Sequence, residues 1–413
     1  MKEDAIKIVE ESIKAVLPDR AVEKAVNSKE FGDFIDGCGR LILISVGKAG
    51  WKMADVAART LGERISEGLV VTKYHHVMGE IPGVQCIEAG HPTPDENSVK
   101  GARKALEMVE NLSEEDRVLL LISGGGSALF EVPAITLEEL QNITGQLLSC
   151  GADIGEINTI RKHLSLVKGG RFAEKCAPAK VFACILSDVL GDAVDTIASG
   201  PTVPDTSTSE AALKIVQKYN IVLSDEALEA LKKETPKALD NSYVTISGSV
   251  RELCKAASEA AERLGYETIL LTDGMNGEAR EIGAFMGNIA ETHQKDTRSV
   301  AYIAGGESIV HIKGTGKGGR NQELALAATE ALASCSDTCL ISVGSDGTDG
   351  PTDAAGGYVD MNTLGMFKEK NMRVSDYLEN NDAHNALKAS DGLIFTGPPG
   401  TNVNDVTILL IKR

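Results

Sequence analysis

The 413-residue sequence contains no CxxC pair, which argues against a zinc ribbon or a thioredoxin-like redox motif. Its eight cysteines (Cys38, Cys86, Cys150, Cys176, Cys184, Cys254, Cys335 and Cys339) are scattered through apolar and helical stretches, as reduced structural thiols are. No apolar run approaches the roughly 20 residues of a membrane span. The first residues mix charge with apolar positions at helical spacing and lack the apolar stretch of a signal peptide. A cytoplasmic location is expected. No run of Lys or Arg is long enough for a nucleic-acid patch, and the net charge of −18 also disfavours anionic membranes. Neither nucleic acid nor a membrane is expected as a partner, and the chain reads equally as a monomer or a homodimer. An anionic small molecule must meet positive charge that its site assembles locally.

What is present is an alternation. Hydrophobic residues at 42 % and charged residues at 25 % match an average globular protein, and at roughly 100–200 residues per domain the length suggests two domains. Short apolar runs at 41–46, 69–72, 118–123, 181–186, 244–247, 268–271, 300–304, 340–343 and 406–411 read as buried strands. Helical periodicity lies between many of them, at 95–111, 136–149, 249–264, 277–292 and 321–333. Thr136 with Glu139, Ser207 with Glu210 and Ser249 with Glu252 have the spacing of a capping box. Strands apolar on both faces, with helices between, predict an α/β class with mainly parallel sheets covered by helices. The polar, proline-containing stretch 232–242 predicts a boundary between an N-terminal domain, 1–234, and a C-terminal domain, 243–413. Strand 406–411 could return to either. Ligands in such folds sit beyond the carboxyl ends of the strands, so the loops there carry the search.

Five loops stand out. In the first, Lys48 follows a strand and Gly47; it can meet an anion at a helix start, or be an ordinary surface lysine. The second is Ser123, Gly124, Gly125, Gly126 and Ser127, where three glycines let the backbone approach an oxygen closely and two hydroxyls add donors. A tight turn is the plainer alternative. Neither a Walker A loop nor the HRD and DFG pair of protein kinases occurs. The third loop gathers Asp188, Asp192 and Asp195, which suit a hard cation or a proton acceptor, or cap turns. The fourth sets Glu307 before Lys313, Lys317 and Arg320, a cationic group at a helix start. Gly314, Gly316 and Gly319 there match GxGxxG weakly, because the acidic Asp337 precedes a strand instead of ending one. The fifth holds Asp346, Asp349 and Asp353 without the spacing of an EF-hand. A last turn offers Thr396, Thr401, Asn402, Asn404 and Asp405. His75, His76 and His91 lack metal spacing and read as structural or ring-orienting.

Taken in order, the segments VGKAGWKMA, AGHPTPDENS, LISGGGSALF, INTIRKHLSLVKGGR, LSDVLGDAVDTIASGPTVPD, GTGKGGRNQELAL, SVGSDGTDGPTDAAGG and GTNVNDV resemble the glycerate 2-kinase family, whose C-terminal part is the MOFRL domain. The resemblance covers nearly the whole chain. It implies transfer of the γ-phosphoryl group of ATP to the 2-hydroxyl of D-glycerate with Mg²⁺ or another divalent cation, in a cleft between two α/β domains. It implies Lys48 and Arg320 as cations on substrate and phosphoryl oxygens, and Asp188 as a catalytic carboxylate for metal or base duty. Ser123, Gly124, Gly125, Gly126, Ser127 and Lys317 become nucleotide contacts, and Asp192, Glu307 and Asp346 metal ligands. The competing expectation is an NAD(P)H-dependent hydroxypyruvate reductase, which the glycine motifs invite.

Overall fold

A computed structural model describes residues 1–397 and 399–413, with Asp192 described by its backbone alone. The chain forms two compact units, Ala21–Ser247 and Met1–Arg20 with Gly248–Arg413. The first 20 residues thus leave the expected N-terminal domain. Helix Lys2–Ala15 buries Ala5, Ile8, Val9 and Ile13, and its Asp4 accepts hydrogen bonds from Tyr266 (2.7 Å) and Lys412 (2.9 Å), both of the unit that holds Gly248–Arg413. The expected boundary at 232–242 is also displaced. Thr235 donates to Asp205 (2.9 Å), and the Asn241 amide donates to the Ala173 and Ala179 carbonyls, tying that stretch into the first unit.

The first unit is built on strands β1 (Leu41–Val46), β2 (Ile65–Lys73), β3 (Val84–Ala89), β4 (Arg117–Ile122), β5 (Lys180–Leu186) and β6 (Ser242–Gly248). Their order is β3-β2-β1-β4-β5-β6, and the pairs from β3 to β5 are parallel. β1 is buried at all six positions, as a strand covered on both faces must be. Each such Leu, Ile or Val contributes about 1.5–3 kcal/mol of burial. Helices Gly50–Leu61 and Glu96–Val109 contribute buried residues from Met53 to Val109. Helices Leu137–Ser149, Ile154–His163, Ser209–Tyr219 and Asp225–Leu231 share a separate apolar cluster. The chain builds outward from β1 through β2 to β3, then restarts at β4 on the other side of β1. That reversal leaves a crevice at the carboxyl ends of β1 and β4, where open α/β sheets bind ligands.

The second unit holds β7 (Glu267–Glu278), β8 (Val300–Ile309), β9 (Thr338–Gly344), β10 (Gly356–Asp360), β11 (Leu393–Ile394) and β12 (Asp405–Ile411), ordered β11-β10-β9-β12-β8-β7. The α/β class holds here too, and four strands point one way. β10 and β12 run against them, so the pairings are antiparallel except β7 with β8. The link 345–355 contains no helix, and without a crossover helix the chain can only turn back. β12, which the sequence could assign to either domain, lies fully buried between β9 and β8.

Capping followed the sequence in part. Thr136 and Ser249 cap helices by accepting from the Glu139 and Glu252 amides. Thr208, not Ser207, caps helix Ser209–Tyr219, because Ser207 is bound to Asp205. No helix among the described residues is long and apolar enough to cross a membrane.

Candidate active site

The loops after β1 and β4 are stitched together at the crevice. The Lys48 amide donates to the Gly124 carbonyl (2.9 Å), and Ser123 Oγ accepts from the Ala49 amide (3.1 Å). Ser123 is buried, so its hydroxyl joins the two loops and is not free to meet a ligand. Thr72 and His76 hold the Gly47 and Lys48 carbonyls from the β2 side, at 2.9 and 2.8 Å. With its backbone fixed on both sides, Lys48 can extend only its side chain.

Each glycine of the loop makes room for a different neighbour. A Cβ on Gly124 would lie 2.2 Å from Asp188 Oδ2 and 3.5 Å from Lys48 Cε. On Gly125, at φ +87°, it would lie 3.0 and 3.1 Å from His91 Cδ2 and Nε2 and 3.3 Å from Lys48 Cγ. On Gly126 it would meet Ala198 at 2.7 Å. Lys48, His91 and Asp188 therefore converge over Gly124 and Gly125, brought from the loops after β1, β3 and β5. Ala198 and Ser199 hold left-handed backbone, φ 50° and 59°, a conformation costing on the order of 1 kcal/mol each that tends to mark functional sites. Ser199 Oγ donates to Asn158 (3.2 Å) and lies 3.1 Å from Ser127 Oγ, while Arg161 donates to the Ser127 carbonyl (2.9 Å).

Charge around this cluster is uneven. His91 is held below the ordinary histidine range, by burial first and then by the charges of Lys48, Lys73 and His76, so its ring is neutral at pH 7. Of the acidic trio, Asp195 is taken by buried Lys162 (3.2 Å), which also pairs with Asp205. Asp192 falls outside the described side chains.

The second unit carries its own cationic centre. Arg320 opens helix Arg320–Ala327 and donates from Nε and Nη2 to Asp405 (2.6 and 3.0 Å) and from Nη1 to Glu307 (2.7 Å). A guanidinium has five N–H donors in a planar fork. Asp405 takes Nε–H and one Nη2 hydrogen and Glu307 takes one on Nη1, so one donor remains on each terminal nitrogen for a further acceptor. Burial lowers the Arg320 pKa, but the hydrogen bonds and charge of Asp405 more than reverse this, and it ends above its ordinary value. Burial raises Asp405 to about 6 despite Arg320. Asp346 and Asp405 approach the same point, 3.3 and 3.4 Å from where a Gly344 Cβ would lie. Buried Asp349 caps the Arg320 helix through the Asn321 and Gln322 amides; burial raises its pKa against those bonds.

The glycines that match GxGxxG are filled by protein. A Cβ on Gly314 or Gly316 would strike Asn380 or Asp382, and one on Gly319 would strike Asp349. They serve close packing, which removes the motif's support for a dinucleotide. The Lys317 side chain is exposed while its amide donates to Asp382. Among the described residues no group of three His, Cys, Asp or Glu side chains gathers as a protein-held metal needs. A magnesium ion carried on a triphosphate needs only one or two carboxylates. Glu307 and Asp346 fit that lighter role, since the hydrogen bonds they make engage one oxygen each.

The sequence matches the domain of unknown function DUF4147 over residues 4–232 and the MOFRL family over residues 300–405. It is 51 % identical to the D-glycerate 2-kinase of Thermotoga maritima, across 100 % of this chain and 98 % of that protein. The chain belongs to the glycerate 2-kinase family. A second member, the glycerate 2-kinase of Pyrococcus horikoshii, is 40 % identical over 100 % of this chain and 97 % of its own. The crystal structure of the Thermotoga maritima glycerate kinase superposes with a TM-score of 0.94 at 50 % identity, covering 99 % of both chains. Within this family fold, sequence reasoning missed one member of the Gly124–Gly125 cluster, His91. It has no metal spacing, and its only signal was its place in AGHPTPD, since β3, the strand before it, does not read as one in the sequence.

Proposed function

We propose that this chain transfers the γ-phosphoryl group of ATP to the 2-hydroxyl of D-glycerate, giving 2-phosphoglycerate and ADP, in the cytoplasm where ATP is supplied. The observation that carries this is full-length identity of 51 % to a D-glycerate 2-kinase. The convergence of Lys48 and Asp188 on a glycine loop at a sheet's switch point supports it. Phosphoryl transfer asks for positioning and charge neutralisation more than covalent chemistry. Lys48 and the remaining donors of Arg320 supply positive charge for phosphoryl and carboxylate oxygens. The backbone at Gly124, Gly125, Gly126 and Ser127 lines the nucleotide phosphates, and the exposed Lys317 adds a positive charge. Asp188 keeps Lys48 oriented across the loop. A divalent cation on the triphosphate would neutralise it further, with Glu307 and Asp346 as its protein carboxylates.

The test couples the reaction directly to enolase. A signal with ATP, glycerate and a divalent cation, without added phosphoglycerate mutase, identifies the 2-phosphate. Signal only after mutase is added would assign the 3-hydroxyl. NADH oxidation by hydroxypyruvate without ATP would support the reductase instead.

A further inference from the structure

We propose that His91 is the base that takes the proton from the attacking hydroxyl during phosphoryl transfer. This rests on the kinase reading above. The attacking oxygen must lie within roughly 3–3.5 Å of the phosphorus, so its proton leaves beside the loop that holds the phosphates. His91 presents Nε2 to that loop, 3.1 Å from the place a Gly125 Cβ would occupy. The loop that carries it is fixed by Asp95, which accepts from the Ser98 amide (2.9 Å) and from Tyr74 (2.7 Å).

Two further observations separate His91 from Asp188, the other proton acceptor at the loop. The His91 ring makes no hydrogen bond among the described residues, while burial and the charges of Lys48, Lys73 and His76 act on it. Asp188 takes part in an interaction of its own. The second is chemical. A base is most effective when its pKa lies near the operating pH. An imidazole starts near 6.5 and a carboxylate near 4. Held neutral by its buried, cationic surroundings, His91 is in the form that accepts a proton. In the step, the substrate O–H bond breaks and its proton passes to Nε2. The oxygen bonds to the γ-phosphorus, and the bond to the β–γ bridging oxygen breaks, its electron pair leaving on ADP. The imidazolium then returns its proton to water.

The experiment compares His91→Ala and His91→Gln with the wild-type enzyme at saturating ATP and glycerate, with thermal melts to verify folding. Removing the base lowers kcat about 10²-fold or more, with KM for both substrates little changed. Added imidazole restores turnover to His91→Ala, and more basic imidazoles restore more. A packing role predicts the reverse: Gln, of similar size but not basic, keeps turnover near wild type. Near-wild-type kcat in His91→Gln, or a slow His91→Ala that imidazoles do not rescue, overturns the proposal. If one variant does not fold, the other decides, by residual kcat for Gln or by rescue for Ala. A wild-type enzyme that leaves glycerate unphosphorylated with ATP would instead sink the kinase reading itself.

Discussion

Replacing Gly124 by alanine should damage activity far more than stability. The new Cβ would lie 2.2 Å from Asp188 Oδ2, and ordinary contact begins at 3.4 Å. One partner must therefore move by about 1.2 Å. The carboxylate is the end of a half-buried side chain and can swing aside, so the cost in stability is the low end of overpacking, about 1 kcal/mol. The swing also disturbs Lys48, whose Cε lies 3.5 Å from the same point. A misplacement near 1 Å at a reacting centre costs on the order of 10²-fold. Gly125→Ala adds backbone strain of about 1–2 kcal/mol at φ +87° and presses on His91. Gly145→Ala is the control: it lies within helix Leu137–Ser149 with nothing within 4 Å of its added Cβ. It should gain about 0.5–1 kcal/mol and leave activity unchanged. The enolase-coupled assay gives kcat/KM, and a thermal melt gives stability. Gly124→Ala within threefold of wild type, with an unchanged melt, would refute the packing of Asp188 and Lys48 over this glycine.

Lys48→Met and Arg320→Ala should each lower kcat by orders of magnitude; near-wild-type turnover in either variant removes it from the reaction. For Lys48→Met the melt should barely change, because the side chain is half-exposed. Lys162→Met leaves buried Asp205 without its ion-pair partner and should destabilise the first unit by about 3–5 kcal/mol, read as a lower denaturant midpoint. Asp405 carries a pH signature. Its folded pKa, about 6, lies above the unfolded value of about 4, so the fold binds the proton more tightly. Lowering pH from 7 towards 4 therefore adds stability from this group, on the order of 2 kcal/mol. Asp405→Asn should remove that increment from the wild-type pH dependence of the melt.

Strands β1, β4 and β5 of the first sheet were legible because each carries an unbroken apolar run. β1 matches residue for residue, β5 differs by one residue at its start, and β4 is shifted by one residue at both ends. β3 was missed because its pattern alternates with exposed and charged positions, and β10 because it begins with two glycines. The first helix was correctly helical but assigned to the wrong neighbour, since its apolar stripe does not say which surface it will cover. In the site, the carboxylates Asp195 and Asp349 look no different in sequence from Asp188. Only folding gave one to Lys162 and the other to a helix start.

By itself the sequence determined the α/β class, the loops that carry polar chemistry and the family, because periodicity, turn residues and motifs are local and readable in order. Tertiary structure decided which of those loops meet. Lys48, His91, Gly124 and Asp188 converge because β1 and β4 are neighbours in the sheet although β2 and β3 lie between them in the chain. That order is set by pairing and packing among distant residues, which local pattern does not encode. It also gave each glycine its own reason: one for a carboxylate, one for an imidazole, and one for a strained turn.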